Sequence, residues 1–174
     1  MLRIGLGYDV HAFAEPQAAR PLVLGGVVLP FARGLLGHSD ADVLVHAVAD
    51  ALLGALRDGD IGTHFPDTDP AYAGMDSLVM LERVGAMVRA QGFSVLDIDT
   101  VVVAQAPKVA PYRDEMRANL ARALAVGVER VGIKATTTEQ LGFEGRGEGM
   151  AASAVALLER PGGDGGRPPE GCAC

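Results

Sequence analysis

Apolar positions along the chain switch between two periods, and the switches mark out the elements. Residues 2–9 (LRIGLGYD) are an apolar run broken by glycines and are expected to form a strand, followed to residue 21 by an alanine- and proline-rich loop. Two short apolar runs at 22–24 and 27–29 flank Gly25-Gly26, which is a hairpin signal. The stretch 37–56 (GHSDADVLVHAVADALLGAL) carries apolar residues at helical spacing, with Ser39 or Asp40 as the expected N-cap. A long irregular connection, GDIGTHFPDTDPAYAG, follows; one of that length is more often functional than idle.

A second helix is expected over 77–91, ended by Gly92, and a strand over 95–104, stopped by Pro107. A third helix over 112–126 ends at Gly127, then come a short strand near 131–135, a glycine-rich loop to Gly149 and a buried strand near 151–158. The order β-ββ-α-α-β-α-β-β predicts an α+β protein of two layers, a mixed β-sheet with helices packed on it. Residues 1–160 are expected to be one domain, and 161–174 (PGGDGGRPPEGCAC) to be a flexible C-terminal tail.

Composition narrows the function. Twenty-two acidic against 15 basic residues give a net charge of -7, which argues against nucleic-acid binding. An anionic ligand would then need local cations, for which metal ions are one source. No apolar stretch approaches the ~18 to 20 residues of a membrane span, and no secretory signal pattern opens the chain. The expected location is the cytoplasm. Both cysteines, Cys172 and Cys174, lie in the tail and are too close for an unstrained disulfide, so free thiols in a reducing compartment are expected. All but two of the basic residues are arginine; Lys108 and Lys134 sit beside the loop-like motifs AQAPK and KATTTE.

Candidate chemistry gathers at a few places. In Asp9-Val10-His11 the carboxylate and imidazole point to one face of a strand, as a surface pair or as the start of a metal site. His46 lies on the first helix with Asp42 and Asp50 one turn to either side; for Asp50 a solvated helix face is the expectation. One carboxylate and two histidines leave a fourth tetrahedral position open, as in catalytic zinc sites. His38-Ser39 stands at the helix start, where phosphate binding and plain capping compete. Asp67-Thr68-Asp69, between prolines, suits hydroxyls, a hard cation or two Asx turns. Thr136, Thr137, Thr138 and Glu139 end a short strand, and a phosphate-and-metal loop is the favoured reading. GFEGRGEG matches neither a P-loop nor a dinucleotide fingerprint.

Taken in order, GYDVHAF, GLLGHSDADVLVHAVADALLGAL, GDIGTHFPDTDP, AQAPK and KATTTEQLGFEGRGEG resemble the 2-C-methyl-D-erythritol 2,4-cyclodiphosphate synthase family, from residue 2 to about 159. The resemblance implies a ferredoxin-like arrangement, helices on one face of the sheet, assembled as a homotrimer with active sites between subunits. It implies Zn²⁺ on Asp9, His11 and His46, and Mg²⁺ or Mn²⁺ bridging a diphosphate near Glu139. His38 and Thr137 would stabilise the transition state, with His38 and Ser39 positioning phosphate. Asp60, Gly62, Phe65, Asp67 and Asp69 would hold the methylerythritol end of the substrate. Ala104, Pro107, Lys108, Val109, Ala110 and Thr136 to Glu139 of a neighbouring subunit would hold the cytidine diphosphate end. Phe143, Arg146 and Glu148 would lie near the trimer axis, where an isoprenoid diphosphate can be enclosed. The implied reaction cyclises 4-diphosphocytidyl-2-C-methyl-D-erythritol 2-phosphate with loss of CMP, a step of non-mevalonate isoprenoid synthesis. A zinc phosphohydrolase and a non-catalytic trimeric isoprenoid-diphosphate-binding protein are the alternatives. Thr63-His64 departs from the pattern, which would place a lysine or arginine and an apolar residue there.

Overall fold

The opening strand, β1, runs Leu2–Ala12 and so includes both Asp9 and His11. Its faces are reversed from the usual order. Gly5 and Gly7 are buried and Asp9 and His11 half-buried on one face, while Leu2, Ile4, Leu6, Tyr8 and Val10 stand exposed on the other. The reason is helix α1 (Val43–Leu56), whose backbone lies directly on the glycines. A Cβ at Gly5 would come 1.9 Å from the Ala51 carbonyl oxygen, and one at Gly7 1.9 Å from that of Ala47. Only glycine permits that approach.

In this computed structural model, which describes residues 1–162, the hairpin β2 (Leu22–Leu24) and β3 (Val27–Leu29) forms where expected. Helix α1 is capped by neither Ser39 nor Asp40. Asp42 is the N-cap, its carboxylate accepting from the Val45 amide at 3.1 Å and from the Gly26 amide at 2.7 Å. Ala41 takes a left-handed conformation (φ 60°), which delays the helix by two residues and leaves the Ser39 and Asp40 side chains free for other partners. Asp50 is also not on a solvated face: half-buried, it accepts the Ile61 amide at 2.8 Å. That bond starts a one-turn helix, α2 (Ile61–His64), inside the segment expected to be irregular.

Helix α3 (Ser77–Ala90) and strand β4 (Ser94–Val103) follow the expected pattern closely. Helix α4 (Arg113–Leu124) stops earlier than predicted, because Ala125 rather than Gly127 takes the left-handed terminating conformation (φ 57°). Then come β5 (Val131–Thr136), a one-turn helix α5 (Gly142–Gly145) within the glycine-rich loop, and β6 (Gly149–Glu159).

The main sheet has the order β1-β6-β4-β5, with β4 and β5 parallel and the other pairs antiparallel. It is therefore mixed, and with its helices makes an α+β protein. The parallel pair needs a crossover, which α4 provides. Register fixes where the candidate residues fall: His11 is opposite Met150, Ala151 opposite Val103, and Val103 opposite Thr136. The end of β1 carrying Asp9 and His11 and the ends of β4 and β5 thus share one edge of the sheet's length. The helices cover one face and bury the core, including Leu44, Leu52, Leu53, Ile98, Leu120 and Met150. The opposite face is left open and apolar, with Ile4 68% and Leu6 71% exposed. Among the described residues no helix is long and apolar enough to cross a membrane. Most of the expected tail, with Cys172 and Cys174, lies outside the described residues.

Candidate active site

Strand β1 delivers Asp9 and His11 to the face that α1 covers, and α1 delivers His46 from above. The period-two spacing of the strand and the glycine-bedded helix bring the three together. The His11 Nε2 and His46 Nδ1 atoms each lie 3.0 Å from Asp9 Oδ2, and 3.1 Å from one another. Ligands ~2.0 to 2.1 Å from one tetrahedral ion would stand about 3.3 Å apart, so this donor set fits a small divalent cation with little adjustment. Among the described residues it is the one group of three close carboxylate and histidine ligands.

The histidines are held from behind. His11 Nδ1 donates to the Leu36 carbonyl at 2.6 Å, which leaves Nε2 as the atom facing the site. Burial alone would raise the Asp9 carboxyl, but hydrogen bonds and charge from His11 and His46 outweigh it and hold the group far below the usual carboxylate range. Burial acts to lower His11, and its bond and attraction to Asp9, with the Leu36 carbonyl, raise it overall. Both shifts come from the same close packing of ligand atoms.

The triad opens into a cleft of about 690 Å³. His38, Ser39, Gly62, Phe65 and Asp67, all anticipated, line it. Two other anticipated residues are engaged in local structure. Asp60 caps α2, accepting the Thr63 amide at 2.8 Å and the Thr63 hydroxyl at 2.9 Å. Asp69 accepts the Ala71 amide at 2.9 Å, so the D-T-D motif divides into one cleft residue and one Asx cap. The unexpected pair Thr63-His64 also works locally, His64 donating to the Asp58 carbonyl at 2.7 Å.

The remaining candidates do not line this cleft. The Ala104 amide donates to the Thr136 carbonyl at 3.1 Å, joining the loops after β4 and β5. Ala104 and Val109 face the core, so they offer a ligand only backbone groups. Pro107 follows a cis peptide bond, and Ala110 opens a short 3₁₀ turn. Thr137 donates to Glu139 at 2.6 Å and Thr138 to the Leu141 carbonyl at 2.5 Å, while Glu139 and Gln140 are left-handed (φ 52° and 67°). Arg146 forms a two-pronged pair with Glu148 at 2.7 and 3.1 Å beside Phe143. Lys134 pairs with Asp99 at 2.5 Å.

Sequence reasoning missed several contributors to the cleft: Gly37, Ile61, Tyr72, Met75 and Ser77. Tyr72 meets Phe65 edge to face at 5.5 Å and walls the cleft. Gly37 and Ile61 sit inside the quoted motifs but carry no chemistry of their own, whereas Tyr72, Met75 and Ser77 lie in no motif and only the fold brings them in.

Comparison with known proteins agrees with this geometry. Residues 2–159 match the YgbB family. A protein of Geotalea uraniireducens (strain Rf4) named 2-C-methyl-D-erythritol 2,4-cyclodiphosphate synthase is 58% identical over 159 residues, covering 91% of this chain and 99% of that protein. One of the same name from Geobacillus kaustophilus (strain HTA426) is 56% identical over 160 residues, covering 92% and 99%. Among solved structures, the bifunctional IspDF of Campylobacter jejuni superposes with a TM-score of 0.87 at 43% identity, over 92% of this chain and 42% of that one. A CDP complex of IspF from Plasmodium falciparum gives 0.80 at 31% identity, over 91% and 96%. With a match across nearly its whole described length and relatives this similar, the chain belongs to the YgbB family.

Proposed function

We propose that the protein is a metal-dependent cyclase converting 4-diphosphocytidyl-2-C-methyl-D-erythritol 2-phosphate to 2-C-methyl-D-erythritol 2,4-cyclodiphosphate and CMP. The observation that carries the proposal is the Asp9–His11–His46 triad opening into a cleft, in a chain so similar to proteins of that name. In the reaction an oxygen of the 2-phosphate attacks the β-phosphorus. The bond from that phosphorus to the bridging oxygen breaks, and CMP leaves with the electron pair. The nucleophile is already ionised, so no protein base is required, and positioning and charge neutralisation dominate.

Asp9, His11 and His46 would hold Zn²⁺, and Glu139 would contribute to a site for Mg²⁺ or Mn²⁺. Bound there, the ions would neutralise phosphate charge and polarise phosphoryl oxygens. His38 and Ser39, at the cleft wall before α1, orient the phosphate groups, and Thr137 together with His38 meets the charge that develops at phosphorus. Gly62, Phe65 and Asp67 enclose the methylerythritol end.

The cytidine diphosphate end is assigned to Ala104, Pro107, Lys108, Val109, Ala110 and Thr136 to Glu139 of a neighbouring copy. What supports this is the sheet order. β1 and β5 are its two edges, three strand spacings or about 14 Å apart, so the two half-sites flank the same end of one sheet without meeting. Copies arranged head to tail around an axis bring one edge against the next. The open face of Ile4, Leu6, Tyr8 and Val155 supplies an apolar surface for the contact. We read the assembly as a homotrimer of ferredoxin-like domains spanning residues 1–160, acting in the cytoplasm, with Phe143, Arg146 and Glu148 toward an axial cavity that accepts an isoprenoid diphosphate.

The test is phosphorus NMR of purified protein with the diphosphocytidyl substrate, with and without chelator. Metal-dependent appearance of the cyclic diphosphate with CMP is the expected result. CMP with an open-chain product would identify a phosphohydrolase instead, and no CMP release a binding protein.

A further inference from the structure

His46 has two ring nitrogens, and the site works only if the right one is bare. Nδ1 faces Asp9 Oδ2, so it must carry a lone pair to bind a cation, and the proton must sit on Nε2. Two serine oxygens lie near Nε2: Ser77 Oγ at 3.0 Å and Ser39 Oγ at 3.2 Å. A serine hydroxyl can accept from Nε2–H or donate to a bare Nε2, and the second choice would put the proton on the wrong nitrogen.

For Ser77 the choice is already made. Its hydroxyl lies in very short hydrogen-bond contact with Asp40 Oδ1, and a carboxylate can only accept. The one Ser77 hydroxyl proton is therefore directed at Asp40, and the oxygen is left to accept from His46. Ser39 has no such constraint: its oxygen accepts the Ala41 amide at 3.1 Å, and its proton is not committed to a carboxylate. Asp40 is itself fixed. It accepts the Ser77 amide at 3.1 Å and the Asp42 amide at 3.2 Å, and its own amide donates to the Met75 carbonyl at 3.3 Å. Ser77 is fully buried, so water does not compete for these bonds.

We infer that Ser77 and Asp40 are positioning residues that hold the His46 ring by its Nε2–H, through the chain His46 Nε2–H to Ser77 Oγ–H to the Asp40 carboxylate, and so aim Nδ1 at the position a metal ion would take. The inference rests on the reading of Asp9, His11 and His46 as a metal site. It gives the chain a consequence beyond that site: Ser77 opens α3 and Asp40 precedes α1, so the segment that walls the cleft is tied to the orientation of a ligand.

The experiment uses the full chain, labelled with ¹⁵N-histidine and loaded with Zn²⁺. ¹H–¹⁵N correlation spectra read the exchange of the His46 Nε2 proton with water, and competition with a chromogenic chelator reads Zn²⁺ affinity. Wild-type protein is expected to keep a slowly exchanging Nε2 proton. In Ser77→Ala that protection is lost and Zn²⁺ affinity falls about 10- to 100-fold, the usual range for removing a partner behind a ligand; Ser77→Thr, which keeps a hydroxyl, restores both. Asp40→Asn leaves Ser77 in place but offers it an amide donor, and it too loses the protection. This variant carries the test where the alanine variant does not fold. Wild-type protection and affinity in both Ser77→Ala and Asp40→Asn would overturn the inference while leaving the metal site in place. Wild-type protein that takes up no Zn²⁺ would instead overturn the metal-site reading on which the inference rests.

Discussion

The two candidate half-sites are built on opposite principles. Asp9, His11 and His46 come from the end of a long strand and the first turn of a buried helix, and each histidine is held by a partner behind it. Thr136 to Glu139 trail off the end of β5 and are exposed or half-exposed, with hydroxyls bonded to neighbours in their own loop. The first group is complete within one chain; the second supplies polar groups with nothing facing them. A site that must hold an ion at fixed geometry belongs on rigid elements, whereas one that closes against another copy belongs on a rim.

The sharpest way to break this contrast is at its rigid half. His46→Ala should abolish stoichiometric Zn²⁺ binding, read by metal analysis, and lower turnover about 10³-fold or more, the size of losing several kcal/mol of charge stabilisation. A variant without metal that turns over at the wild-type rate would end the scheme.

Next in size is the open sheet face. Leu6 is 71% exposed in the single chain, so Leu6→Glu should leave the fold of that chain almost unchanged. In an assembly that covers this face, the same charge is buried without a partner. The expected result is a smaller species by light scattering, turnover reduced about 10²-fold and Zn²⁺ affinity within about threefold of wild type. An assembly unchanged in size would remove the argument for this face as the interface.

The strand that carries both features shows what was legible and what was not. Glycine and apolar positions in 2–9 announced a strand, and Asp9-Val10-His11 announced two side chains on one face, because period two is a local property. That the apolar face would be the open one was not legible. It depends on α1 lying within touching distance of Gly5 and Gly7, a contact 40 or more residues away in the chain. The same limit explains the N-cap. Ser39, Asp40 and Asp42 are all good capping residues, and only the left-handed Ala41, with the engagement of Asp40 by Ser77, selects Asp42. The in-order motifs made the members of the site recognisable, but Ser77, Tyr72 and Met75 belong to no motif and enter only through tertiary packing.

A smaller effect is expected at the rim. Glu139→Gln should lower turnover about 10- to 100-fold while leaving Zn²⁺ binding on the triad untouched. The more telling measurement mixes subunits. Co-expressed His46→Ala and Glu139→Gln chains should regain turnover relative to either alone, because some interfaces then pair an intact triad with an intact rim. No recovery in verified mixed assemblies would place both halves of the site in one chain.

The smallest contrast lies inside the D-T-D motif, and it asks whether position in the cleft outweighs identity. Asp67 lines the cleft, while Asp69 spends its carboxylate on the Ala71 amide, a bond that an asparagine oxygen can replace. Asp69→Asn should therefore change KM less than about threefold and leave Tm in place, since the turn keeps its acceptor. On the proposed binding mode, Asp67→Asn removes a charge that would face the substrate's hydroxyl-bearing end, weakening the hydrogen bonds it would accept by about 1 kcal/mol. KM is then expected to rise roughly five- to tenfold with kcat nearly unchanged, the mark of an interaction made equally in ground and transition states. Equal effects at the two positions would mean that the turn moves when substrate binds and that both carboxylates reach it.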